Sequence, residues 1–178
     1  MDGGRPLAID LFCGLGGWAE GFIAEGYRVV GFDIDPRFAK VYPGEFVLAD
    51  VRMLDGRRFR GARCIVASPP CTKYAPWAMP PSWNKREVPD PSCVEAVWRI
   101  RAAADVPTVL ENVRGAVRWL GPPVARRGAQ YLWGDVPLIG NGWSVGKGKW
   151  KLSPSPWRTA LRAKIPRELA RAVARGFL

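Results

Sequence analysis

The feature that most constrains this chain is its opening, where an apolar run over residues 7–12 breaks into the turn Cys13-Gly14-Leu15-Gly16-Gly17. Residues 18–25 then have helical spacing, and a second apolar run follows at 27–32. A short apolar run closed by glycines reads as a buried strand, and strand, tight turn, helix, strand is the start of a parallel βαβ unit. The alternation continues: a short helix is expected at 38–42, strands at 46–48 and 63–67, a helix at 93–104 and a fifth strand at 106–110, ending at Glu111-Asn112. This pattern predicts an α/β fold, a doubly wound and mostly parallel sheet that binds ligands at the carboxyl ends of its strands. Two stretches depart from it. Residues 72–91 are rich in Pro, Trp and Lys and read as a long loop of the kind that closes over a site. Residues 121–156 are rich in Gly, Pro, Trp and Lys, with a hairpin expected around 130–139, before Pro166 opens a last helix running through 175. A chain of 178 residues suits one domain, 1–178.

Charge and residue types exclude much of the remaining chemistry. Lys and Arg number 27 against 16 Asp and Glu, a net +11, so a polyanion is the expected partner, and charge alone does not choose DNA over RNA. The chain has no histidine, which rules out Ser-His and Cys-His catalytic pairs and leaves any reactive cysteine to another activation route. Its four cysteines, Cys13, Cys64, Cys71 and Cys93, contain no Cys-x-x-Cys pair, and no metal is expected. No apolar run approaches the length of a membrane span, and residues 1–6 lack the features of a secretory signal, so a cytoplasmic setting without membrane contact is expected.

Three motifs carry the chemistry. The glycine turn lets backbone approach a nucleotide-like cofactor, and Asp33 and Asp50, each following a strand, suit a ribose diol or an adenine amino group. Gly14, Gly16 and Ala19 also satisfy a loose dinucleotide pattern, while a ligand-free turn and plain surface caps are the bland alternatives. In Ser68-Pro69-Pro70-Cys71 two prolines stiffen the exit of a buried strand and hold Cys71 at the active edge of the sheet. Its thiolate would need help from Lys73, arginines or closure on a ligand. Cys13, Cys64 and Cys93 read as apolar fillers. Glu111 ends the fifth strand, where it can face Cys71 across a pocket. A thiolate and a carboxylic acid together suit an electrophilic heterocycle: the thiolate adds to cytosine carbon 6, the acid neutralises the charge that develops at N3, and carbon 5 becomes nucleophilic.

The order DLFCGLGG, Pro-Cys, Glu-Asn-Val resembles the DNA cytosine-5 methyltransferase family over about residues 7–120. The resemblance implies a Rossmann-like methyltransferase fold that uses S-adenosylmethionine and releases S-adenosylhomocysteine. It implies Cys71 as nucleophile and Glu111 as acid, with Phe12 stacked on the cofactor and Leu15 and Gly16 at its methionine end. Asp33 and Asp50 would hold ribose and adenine, and Asp10, Gly14, Gly17, Ile34, Val51 and Pro69 would complete the cofactor site. Double-stranded DNA is the implied partner. Its target base leaves the stack, with Lys73, Lys85 and Arg86 on phosphates, Trp77 or Trp83 in the vacated space, and Asn112, Arg114, Arg118 and Arg162 as further DNA contacts. The segment 165–173 resembles the family's closing helix, which returns beside the cofactor loop.

The family's Gln-x-Arg-x-Arg element is missing: Gln130 is followed by Tyr131-Leu132-Trp133, and only a short stretch separates it from Arg162. Residues 121–160 therefore read as a reduced recognition insertion, with Arg118, Arg126, Arg127 or Arg162 supplying the lost guanidinium and Lys147, Lys149 and Lys151 in the stretch 140–157. A short or relaxed recognition sequence, or help from a second subunit, is expected of a monomer or weak homodimer. Such compact chains look like those of bacterial viruses. The competing readings are an amino-methylating DNA enzyme, which would place an aromatic residue where Cys71 stands, an NAD-dependent enzyme, which leaves Cys71 and Glu111 unexplained, and a non-catalytic or partner-dependent DNA-binding relative.

Overall fold

Strands β1 (Leu7–Leu11), β2 (Arg28–Asp33), β3 (Glu45–Leu48), β4 (Cys64–Ala67), β5 (Thr108–Asn112), β6 (Ala125–Arg127) and β7 (Gln130–Gly134) form one sheet in the order β3-β2-β1-β4-β5-β7-β6. The structure, a computed structural model, describes residues 4–79, 87–139 and 158–178. The first five strands pair in parallel, and β7 runs antiparallel to both its neighbours. The expected doubly wound, Rossmann-like α/β sheet is therefore present. Five α-helices accompany it among the described residues: α1 (Gly17–Ala24), α2 (Ser92–Ala104), α3 (Val117–Leu120), α4 (Arg158–Ala163) and α5 (Arg167–Gly176).

Alternation along the central strands divides the core in two. Ile9, Leu11, Ile65 and Leu110 pack with Val97 and Ile100 of α2 on one face, while Ala8, Val66 and Val109 pack with Phe22 of α1 and Leu169 and Val173 of α5 on the other. Each of the buried Val, Leu, Ile and Phe side chains contributes about 1.5–3 kcal/mol. Glycine, poor in helix interiors, is used in α1 to let α5 approach. A Cβ on Gly17 would lie 2.5 Å from the Ile165 nitrogen, and one on Gly21 would lie 2.3 Å from the Ala170 Cβ. The Tyr27 hydroxyl donates to the Ala174 carbonyl at 3.0 Å, closing the same contact. The final helix thus returns beside the glycine turn.

Several boundaries differ from the sequence expectation. β5 starts at Thr108, because Pro107 has no N–H to give the ladder and Asp105 ends α2 in a left-handed conformation (φ 54°). Pairing of Glu111 with Leu132 and of Asn112 with Tyr131 extends the strand, so both residues lie within it. The hairpin sits at 125–134 instead of around 130–139. Gly128, at φ 58°, makes its turn, and beyond Gly134 the chain leaves the sheet as Asp135 binds Arg101 and Thr108. The short helix expected at 38–42 is a 3-10 turn, Pro36–Lys40, capped by Asp35. That cap recurs: Asp35, Asp50 and Asp55 each accept from the backbone N–H two residues on and pair with the side chain of the same arginine, Arg37, Arg52 or Arg57. The stretch read as a featureless loop holds a 3-10 turn at Ala75–Ala78. No described helix is long and apolar enough to cross a membrane.

Candidate active site

The order of the strands reverses between β1 and β4, and a crevice opens outside their carboxyl ends. Phe12 leaves β1 at φ 58°, a conformation that costs a bulky residue of the order of 1–2 kcal/mol. It is held there because the Cys13 N–H donates to the Phe32 carbonyl at 3.1 Å and the Gly16 N–H donates to the Cys13 carbonyl at 2.8 Å. Gly14 and Gly16 are also left-handed, and a Cβ on Gly16 would lie 2.4 Å from Pro43. The Asp33 carboxylate braces the turn from below, accepting from the Gly14 N–H at 2.9 Å and the Asp35 N–H at 3.0 Å.

Cys71 follows β4 and the two prolines. Its carbonyl accepts from the N–H groups of Tyr74 (3.0 Å) and Ala75 (2.9 Å), which fixes the turn that carries the half-buried thiol. Glu111, on neighbouring β5, is buried, and loss of solvent raises its carboxyl to about 7 against a lowering hydrogen bond from Ser68. Burial first, and then the charge of Glu111, pushes the Cys71 thiol above its ordinary value. Both residues line one cavity of about 550 Å³, together with Phe12, Leu15, Gln130 and Arg162.

The other expected site residues are placed as follows. Gly14, Gly17 and Pro69 line the same cavity, whereas Gly16 is buried against Tyr42 and Pro43. Asp10 does not line it: the side chain is fully buried and accepts from the Tyr42 hydroxyl at 3.0 Å. Val51 packs into the core, Ile34 is 64% exposed at the end of β2, and Asp50 is occupied by Arg52. Asn112, expected at DNA, is buried and donates from Nδ2 to the Pro69 carbonyl at 3.2 Å. Lys73, expected to assist the thiol, is paired with Glu87 instead. The Trp77 indole donates to the Glu87 carbonyl at 3.1 Å, and its ring lies edge-on to Trp119 with the Arg118 guanidinium 5.0 Å from its centre. Arg114 is exposed at the turn after β5. Trp83, Lys85, Arg86 and the stretch 140–157, with Lys147, Lys149 and Lys151, lie outside the described residues.

Burial also pushes the thiols of Cys13 and Cys64 upward, the latter to about 12, as suits inert apolar fillers. Two cavity residues, Trp18 and Ser68, had no role in the sequence reading. Trp18 donates from its indole to the Ser68 hydroxyl at 3.0 Å, while Gln130, which also lines the cavity, has a buried Oε1 with no hydrogen-bond partner among the described residues. The signal for Ser68 was its place, one residue past a buried strand; nothing in the sequence pointed to its partners.

The glycine turn and the Pro-Cys turn, brought to one crevice, have a counterpart among known proteins. Residues 7–77 match the C-5 cytosine-specific DNA methylase family. Cys71 falls within the matched segment and Glu111 beyond it. No curated protein matches the chain. Among solved structures it is similar to a protein described as a DNA modification methyltransferase encoded within an E. coli prophage, at 24% identity and a TM-score of 0.47, covering 63% of this chain and 33% of that one. It is also similar to a Spodoptera frugiperda DNMT2 mutant, at 19% identity and a TM-score of 0.47, covering 64% and 37%. A third is the magnesium protoporphyrin IX methyltransferase of Synechocystis with bound SAM, at 14% identity and a TM-score of 0.46, covering 72% and 68%. The chain thus spans about a third of the length of the first two.

Proposed function

We propose that the chain is a DNA (cytosine-5-)-methyltransferase that moves a methyl group from S-adenosylmethionine to carbon 5 of a cytosine turned out of double-stranded DNA. Cys71 is the nucleophile and Glu111 the acid. The observation that carries this reading is that the thiol, the carboxyl and the glycine turn open onto one cavity.

The residues present suit the methyl donor. No atom of the described residues lies within 4 Å of where a Cβ on Gly14 would sit, so the turn offers bare backbone there. Phe12 and Leu15 would hold the donor's near end, and Asp33 and Ile34 at the end of β2 and Asp50 just beyond β3 stand where ribose and adenine would be recognised. S-adenosylmethionine supplies an electrophilic methyl group there.

The chain's own groups do the rest. Cys71 Sγ gives up its proton to solvent as it bonds to carbon 6 of cytosine, and negative charge develops on the ring toward N3 and carbon 5. Glu111, whose carboxyl burial raises to about 7, donates to N3 and neutralises that charge, so that carbon 5 can take the methyl group; loss of the carbon 5 proton to solvent and departure of the Cys71 thiolate from carbon 6 then release 5-methylcytosine, N3 returning its proton to Glu111. Because the free thiol is pushed up, its ionisation is coupled to arrival of the base. The excess of 27 Lys and Arg over 16 Asp and Glu draws in the phosphate backbone, with Arg114, Arg118 and Arg162 exposed on the described surface. In β7, Leu132 and Gly134 occupy the positions where the family pattern has arginines, which favours a short or relaxed recognition sequence.

The test is transfer of labelled methyl from S-adenosylmethionine to double-stranded DNA by the wild type and by Cys71→Ser, followed by base analysis. Label in 5-methylcytosine that disappears in the variant supports the reading. Absence of transfer to any DNA overturns it in favour of a non-catalytic or partner-dependent relative.

A further inference from the structure

We propose that Arg118, laid over the rings of Trp77 and Trp119, is a phosphate contact for a DNA strand beside the cavity, and that Trp77 is its platform and not a wedge that enters the duplex. This rests on double-stranded DNA as the substrate, but not on the chemistry at Cys71.

The platform is fixed from below. Tyr74, 3% exposed, lies edge-on to the Trp119 ring at 5.6 Å, and Trp119 lies edge-on to Trp77 at 4.9 Å, with 79° between the planes. The Trp77 indole donates to the Glu87 carbonyl at 3.1 Å, so its ring cannot swing away without losing a hydrogen bond and a ring contact together. A tryptophan committed in this way is poorly suited to fill the space a base has left. The Arg118 guanidinium lies 5.0 Å from the centre of the Trp77 ring and 6.0 Å from that of Trp119. A ring attracts a guanidinium through its negative face, which steadies the long side chain and leaves the N–H donors of the fork unspent.

The charge at this place has no internal use. Elsewhere the chain neutralises its arginines close at hand: Arg37, Arg52 and Arg57 pair with Asp35, Asp50 and Asp55, and Arg101 pairs with Asp135. Arg118 is exposed and has no side-chain hydrogen bond or ion pair among the described residues, and the same is true of Arg114, one helical turn before it. Like charges at that spacing repel, and an anion between them relieves the repulsion. The place is beside the site. Pro76 and Met79, on either side of Trp77 in the chain, line the cavity with Cys71, as does Val113 just before Arg114. An anion met there is a backbone phosphate of the strand that delivers the base, and a side chain already ordered gives up little freedom in binding it. The grip also reaches Cys71, because Trp77 shares the 3-10 turn Ala75–Ala78 with Ala75, whose N–H holds the Cys71 carbonyl.

The experiment measures binding of the full chain to labelled duplexes of unrelated sequence by fluorescence anisotropy over a series of salt concentrations. Arg118→Ala is expected to weaken binding to every duplex alike and to reduce the slope of log K against log salt by about 0.9, the share of one phosphate contact. A merely structural role would not move that slope. Trp77→Leu removes the platform and is expected to weaken binding too, whereas the double variant binds no more weakly than Arg118→Ala alone, since the platform acts through the arginine. Trp77→Phe keeps a ring face and is expected to fall between Trp77→Leu and the wild type. An unchanged slope in Arg118→Ala overturns the proposal, and so do deficits of Arg118→Ala and Trp77→Leu that multiply, which is the mark of a wedge acting by itself. Arg118 is exposed, so its variant decides the matter even where Trp77→Leu fails to fold. Binding with the expected slope change but without methyl transfer supports the phosphate contact and sinks the catalytic reading alone; methyl transfer with an unchanged slope does the reverse. A wild type that binds no duplex overturns both.

Discussion

Asn112 Nδ2 donates to the Pro69 carbonyl at 3.2 Å, and Asn112 Oδ1 accepts from the Val113 N–H at 2.9 Å, so the strand bearing Glu111 is tied to the turn bearing Cys71 by one buried side chain. Proline cannot offer an N–H in return, and the two elements touch here through the carbonyl of Pro69. Asn112→Ala leaves a buried carbonyl unmet, at about 1–3 kcal/mol, and a partly buried N–H besides. The expected result is a lower urea midpoint and a loss of methyl transfer larger than the loss of folded protein. Asn112→Asp keeps the acceptor for Val113 but sets a carboxylate against the Pro69 carbonyl, so its deficit is expected to grow from pH 5 to pH 8. Equal stability of all three proteins removes the tie from the argument.

Glu111 makes stability fall as pH rises. Its folded value of about 7 stands above the ordinary 4.5, so between those values the folded chain holds a proton that the unfolded chain has released. Below the window the burial costs nothing in charge. Above it the folded state must bear an ionised, buried carboxylate, at a cost of about 3 kcal/mol from the size of the shift. Glu111→Gln is therefore expected to match the wild type at pH 4.5 and to exceed it at pH 8 in denaturant midpoint. A difference independent of pH shows that the carboxyl is not buried as described.

A second buried acid lies under the glycine turn. Asp10 is fully buried, burial pushes its carboxyl well above the ordinary value, and its Oδ2 accepts from the Tyr42 hydroxyl at 3.0 Å while Oδ1 has no side-chain partner among the described residues. Tyr42 in turn fills the space left by Gly31, where a Cβ would lie 2.3 Å from the Tyr42 ring. Tyr42→Phe keeps the ring and strands the acid, and is expected to cost about 1–3 kcal/mol. Thermal unfolding near pH 7 reads this directly. A silent Tyr42→Phe means that the hydroxyl does not support the acid.

How much of this was legible in the sequence depended on how far apart the partners lie. The β1, α1, β2 opening was read from apolar runs and glycines adjacent in the chain, and the place of Cys71 from two prolines at its own door. The capped turns at Asp35, Asp50 and Asp55 are equally local, each a carboxylate two residues before an arginine, and for Asp50 a cap stands among the alternatives the sequence offers. Asp10, by contrast, looks like any polar residue near a cofactor turn until Tyr42 folds over it from 32 residues away. Asn112 looks like a surface amide at a strand end until Pro69 arrives from 43 residues back. The Trp18 and Ser68 pair is separated by 50 residues and leaves no periodic trace. The hairpin was misplaced because glycine and proline in 128–137 mark turns without saying which of them reverses the chain.

Gly115 seats the segment that follows Cys71. A Cβ there would lie 1.9 Å from the Tyr74 carbonyl oxygen and 3.3 Å from the Ala78 nitrogen, both backbone atoms. Backbone cannot turn aside as a side chain can, so Gly115→Ala must push the 3-10 turn at Ala75–Ala78 away from the 3-10 turn Arg114–Ala116 that follows β5. Tyr74 and Ala75 are the residues whose N–H groups hold the Cys71 carbonyl, so the push reaches Cys71 within one hydrogen bond. Overpacking of this kind costs about 1–3 kcal/mol. The displaced turn should also re-aim Sγ, and misplacement of a reacting group by about 1 Å can cost on the order of a hundredfold in rate. Gly115→Ala is expected to bind DNA nearly as well as the wild type while transferring methyl at least tenfold more slowly. A loss confined to DNA affinity would show that this contact serves the DNA surface and not the aim of Cys71.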